Sequence, residues 1–124
     1  MGPNAALLCC GLFSLDLSHN RGLGDDGLVA LAECRLPRTL CVIDISNTGC
    51  GDRGFMAMVS ALPGLPQLQD FHCSFNPAVG VKAWLALGEV LPQLKALRQI
   101  IGVPPEAVAV MELALRSCPH LAVR

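Results

Sequence analysis

Residues 12–25, LFSLDLSHNRGLGD, and residues 40–52, LCVIDISNTGCGD, are near-copies of one another. Superposed, they read L-x-x-(L/I)-D-(L/I)-S-x-(N/T), then a Gly-Asp pair that opens a helix-like run. Repetition on this scale constrains architecture more than any local propensity. Each copy is one supersecondary unit that buries its apolar face only by stacking on the next. Strand starts are expected at Leu12, Leu40, Leu68 and Leu94, and a fifth at Leu121, at intervals of 28, 28, 26 and 27 residues.

Apolar residues align between the copies. Leu15, Ile43, Phe71 and Leu97 form one column; Leu17, Ile45 and Cys73 form the next, which weakens at Gln99. Their period-2 alternation predicts short strands with one buried face near residues 13–17, 41–45, 69–73 and 95–99. Turns follow at Asn20-Arg21-Gly22, Thr48-Gly49 and Asn76-Pro77, where Asn and Gly tolerate left-handed backbone and the Asn amide bonds nearby peptide groups. Helices are predicted near 25–35, 52–62, 80–91 and 105–117. Their apolar stripes are Leu28, Phe55, Trp84, Val108; then Leu31, Met58, Leu87, Met111; then Leu62, Leu91, Leu115. Asp25 and Asp52 fall in first turns, where a carboxylate complements the helix dipole, and Pro104-Pro105-Glu106 opens the fourth helix in the same sense. Trp84, the single Trp, belongs to the packing column rather than to a ligand platform.

These stretches resemble leucine-rich repeats of the ribonuclease-inhibitor type. The likeness rests on LFSLDLSHN with GLGDDGLVALAECRLPRTL, and on CVIDISNTGCGDRGFMAMVSALPGLPQL. LQDFHCSFNPAVGVKAWLALGEVLPQL still fits, with Phe71 and Cys73 in place of Leu. The fourth copy keeps the helix and has Gly102 where the turn Asn would stand. The resemblance implies an α/β fold spanning residues 1–124 as a single domain: a right-handed solenoid, a short horseshoe with a parallel concave sheet and outer helices. Such repeats serve unrelated partners, so fold does not name function. The leading expectation is a protein–protein interaction module, an accessory or scaffolding subunit of a larger assembly. The alternative is a regulatory adaptor of the GTPase-regulator or ubiquitin-ligase-receptor kind, and a small hydrolase ranks last.

Composition narrows the partner class. Apolar residues make up 52% of the chain and charged residues 15%, which excludes intrinsic disorder. A net charge of -1 and 4% aromatics, with no Tyr, point away from nucleic acid, which needs basic patches and stacking platforms. The longest charge-free stretch, residues 54–69, contains Pro63, Gly64 and Pro66 and is not expected to span a membrane. Seven cysteines without a C-x-x-C pair suggest neither a disulfide framework nor a zinc site. Together these place the chain inside the cell in a reducing compartment, with no cofactor or metal expected.

The expected partner-binding face is the concave one. Its central column reads Asp16, Asp44, His72, Arg98, flanked by Asp70 and, past the strands, by Phe75 as an exposed aromatic anchor. Asp16 and Asp44 on neighbouring strands about 4.8 Å apart repel unless something intervenes. Ser74, His72 and Asp44 or Asp70 contain the residue types of a hydrolytic triad, but a shallow sheet lacks oxyanion donors and a water-excluding pocket. Leu7, Leu8 and Cys10 near one end, and Val110, Leu113 and Leu121 near the other, are expected to be covered by a partner. Each uncovered methylene forgoes about 0.8 kcal/mol. The isolated chain should therefore self-associate; a monomer that stays monomeric at high concentration in sedimentation would contradict this.

Overall fold

Residues 11–124 are described by a computed structural model. The apolar run at residues 5–10, including Leu7, Leu8 and Cys10, lies outside them. The chain alternates strand and helix: β1 (Ser14–Asp16), α1 (Gly24–Glu33), β2 (Val42–Asp44), α2 (Asp52–Ala61), β3 (Asp70–His72), α3 (Val81–Val90), β4 (Gln99–Ile101), α4 (Pro105–Val110), α5 (Glu112–Arg116) and β5 (Ala122–Val123). Short 3-10 turns, Leu62–Gly64 and Leu91–Gln93, extend α2 and α3. All five strands pair in parallel, in chain order, in one sheet.

Burial follows the period of two. Ile43, Phe71 and Ile100, the middle residues of β2, β3 and β4, are fully buried, whereas the residues on either side of them are half-buried on the opposite face. The buried face packs against the helices through Leu28, Phe55, Met58, Trp84 and Leu87. Phe55 joins two units, with its ring centroid 6.0 Å from Phe71 and 4.8 Å from Trp84 in tilted contacts. Tilted aromatic pairs of this kind add to the area they bury.

Polar bonds also run between units. Asp25 of α1 accepts the Gly51 and Gly54 N–H groups at 2.8 and 2.7 Å, so it satisfies the start of α2. Asp52 does the same for α3 by accepting the Gly80 N–H at 2.6 Å. These are charge-assisted bonds to donors that a helix cannot satisfy internally. A Cβ on Gly54 would lie 2.7 Å from the Asp25 carboxylate, so the close approach requires glycine. At the next junction Val81 opens α3 where Asp52 opens α2, and the residue before α4 is Pro104, which has no N–H to satisfy. The donor and its acceptor are lost together.

The fourth unit departs from the expected register. β4 is residues 99–101 rather than 95–99, and Phe71 pairs with Ile100, not with Leu97. The reason lies upstream: Leu91-Pro92-Gln93-Leu94 repeats the turn Leu62-Pro63-Gly64-Leu65, which aligns Leu97 with Leu68 and moves the strand three residues on. Ile101 therefore stands beside His72 in the column assigned to Arg98, and Gln99 beside Asp70. The fourth helix is also divided, because Met111 (φ -93°, ψ 5°) leaves helical geometry, and Ala107 rather than the 36%-exposed Val108 fills the core position. Glu112 and Arg116 form the i,i+4 pair at 3.3 Å on the outer surface.

Candidate functional site

The sheet face turned away from the helices carries the polar columns. Asp16 and Asp44 are paired in register on β1 and β2, with His72 next to Asp44 on β3. Each carboxylate is turned onto its own strand end rather than onto its neighbour. Asp16 Oδ1 accepts the Ser18 N–H at 2.9 Å and the Ser18 hydroxyl at 2.5 Å; Asp44 Oδ1 accepts the Ser46 N–H at 2.9 Å. The Ser18 hydroxyl and amide hold the Asp16 carboxyl below its ordinary pKa, helped by the His19 and His72 rings. Hydrogen bonds to the charged form favour it, so Asp16 is an anion throughout the neutral range.

Along the same face, His72 Nδ1 lies 4.0 Å from Asp44 Oδ2, and the Gln99 amide donates to Asp70 Oδ2 at 3.0 Å. The Ser74 N–H donates to the Ser46 hydroxyl at 3.0 Å. Among the described residues no serine hydroxyl is hydrogen-bonded to a histidine, and no three metal-ligating side chains are grouped. Asp16, Asp44, Asp70 and His72 are thus brought together as the register implies. Arg98 is displaced: it is exposed, one residue before β4, beside a shallow depression of about 500 Å³ shared with Asp70, His120 and Arg124.

Past the strands, three successive turns repeat one strained backbone position. His19, Asn47 and Phe75 have φ of 66°, 54° and 59°. The Asn47 amide donates to His19 Nδ1 at 3.0 Å, giving those two a local partner. Left-handed backbone costs an L-residue about 1–2 kcal/mol, a cost Asn moderates and Phe does not. Phe75 nonetheless stands 77% exposed. Its ring borders a cleft of about 470 Å³ lined also by Pro77, Val79, Trp84, Pro104 and Glu106. Reasoning from the sequence identified Phe75 as exposed but missed this cleft. The signal was the Pro104-Pro105 pair arriving within three residues of the end of the fourth strand.

Two buried thiols, Cys50 and Cys73, are held in the neutral form. Burial pushes Cys73 far above the ordinary thiol range, with Cys50 and Asp44 adding to it, and burial likewise raises Cys50. Neither supplies the thiolate that nucleophilic or redox roles require. In the folded protein Cys50 and Cys73 should resist iodoacetamide at pH 8 while the exposed Cys34 reacts, as mass-spectrometric mapping would show. Fast modification of Cys50 would overturn this account. No described helix is long and apolar enough to cross a membrane. No protein-family model matches this sequence, and no curated protein matches it either.

Proposed function

We propose that this chain is a leucine-rich-repeat solenoid of the ribonuclease-inhibitor type that acts as a protein-interaction module inside the cell, an accessory or scaffolding subunit of a larger assembly. The observation that carries this reading is the open sheet face. Asp16 and Asp44 lie side by side in register on it, half-screened by their serines. A row of acidic side chains that runs from exposed at Asp16 to half-buried at Asp44 and Asp70, with an exposed aromatic beyond it, is arranged for contact with a surface rather than for enclosing a small substrate. Asp16, Asp44 and Asp70 would meet basic groups of the partner, His72 would sit between them, and Phe75 would anchor the rim. Arg98 would contribute from the edge of the strip rather than from its centre.

The test is substitution of Asp16, Asp44 and Asp70 together by Asn, with the partner recovered by co-purification from native cells. Binding should weaken and its dependence on ionic strength should flatten, while circular dichroism stays native. Unchanged affinity at both low and high salt would move the interface off this face.

A further inference from the structure

We propose that the cleft beside Phe75 is a docking site for one arginine side chain of the protein partner. This rests on the interaction-module reading and assigns a ligand class to a part of the surface outside the aspartate strip. The cleft exists because the last connection is short. Residues 17–23, 45–51 and 73–80 join the first three strands to their helices, whereas only residues 102–104 join β4 to α4. The fourth turn therefore stops before it covers the side of the third, and leaves the cleft between Pro77, Val79 and Trp84 of one unit and Pro104 and Glu106 of the next.

Three features select the occupant. Phe75 occupies a backbone position that disfavours it, and its 77% exposure means that its ring is little buried within the chain itself. That ring is available as a flat π face at the rim. The walls are mostly apolar, and the amide of Asn76 in the same turn is already engaged with Thr48 and Ile45. Glu106 is the one charged residue among those described that line the cleft. An aromatic face, an apolar slot and a single carboxylate complement a planar cation on an aliphatic stem. The guanidinium stacks on Phe75 and pairs with Glu106, while its methylenes lie against Pro77 and Pro104. An acidic side chain is repelled by Glu106, and a neutral apolar one gains nothing from that exposed carboxylate.

The test needs no knowledge of the partner. Isotope-labelled protein is titrated with N-acetyl-arginine methylamide, and in parallel with the citrulline, norleucine and glutamate counterparts, while backbone amides and the Trp84 indole are followed by NMR. The arginine compound should shift Phe75, Gly102, Glu106 and the indole with an affinity near the millimolar range, and citrulline should bind about tenfold more weakly, the loss of one charge-assisted contact. Phe75→Asn should keep the fold, because the same turn position holds Asn47, and should weaken the arginine shifts; Glu106→Gln should bring arginine down to the level of citrulline. No shift at these residues, equal binding of arginine and norleucine, or a preference for glutamate would each overturn the assignment. Those outcomes leave the aspartate strip untouched, because it is tested by its own triple variant.

Discussion

Ile43→Asp should abolish the fold. Ile43 is fully buried, it pairs with Leu15 on one side and Phe71 on the other, and it belongs to the apolar core between sheet and helices. A carboxylate at that place has no donor within reach, so it must either remain an unpaired buried charge or take up a proton. Such substitutions lie at the extreme of single-site effects, above about 4 kcal/mol, against a total stability of about 5–15 kcal/mol for a domain. Far-UV circular dichroism should show a largely unfolded chain at 25 °C. Ile43→Val, which removes one methylene, should lower stability by only about 1 kcal/mol and keep a cooperative melt. A native spectrum and melting temperature for the Asp variant would mean that the apolar column is out of register.

Asn76→Ala should be the next most damaging change, by about 3 kcal/mol, through orphaned polar groups rather than lost apolar area. The Asn76 carbonyl oxygen accepts the Thr48 N–H at 3.1 Å, and its amide donates to the Ile45 carbonyl at 2.9 Å. With Asn76 only 8% exposed, water cannot readily replace either bond. Asn20 stands at the matching place in the first turn and donates to the Leu17 carbonyl at 2.8 Å, but it is exposed. Asn20→Ala should therefore cost under about 1 kcal/mol. Denaturant melts of the two variants compare the same substitution at a buried turn bonded to the preceding unit and at an exposed turn bonded only to itself. Equal losses would mean that burial is not what makes the turn amide valuable.

The first three units were legible because every signal agreed. Leu15, Ile43 and Phe71 recur at a constant 28 residues, and the turn and helix residues recur with them. The placement of Asp16, Asp44, Asp70 and His72 on one face followed from that register and the period of two. In the fourth unit the signals conflicted. Leu94 and Leu97 mimic the start and middle of a strand, and this outweighed the stronger match between Leu62-Pro63 and Leu91-Pro92; the error carried Arg98 into a column that belongs to Ile101. Two other features were out of reach for a different reason. The bonds from Asp25 and Asp52 to the following helix, and the cleft beside Phe75, depend on how one unit meets the next, whereas sequence periodicity describes each unit separately.

The paired loss of acceptor and donor at Pro104 has a mechanical meaning. Carboxylates tie the start of α2 to the first unit and the start of α3 to the second, so those helices are riveted as well as packed. At α4 the rivet is missing. That helix is also short, interrupted at Met111, and followed by a strand of only two residues. Under tension or rising denaturant, rupture should begin at this seam. The segment beyond it would peel away while the earlier units still hold, much as a chain parts at its one unwelded link.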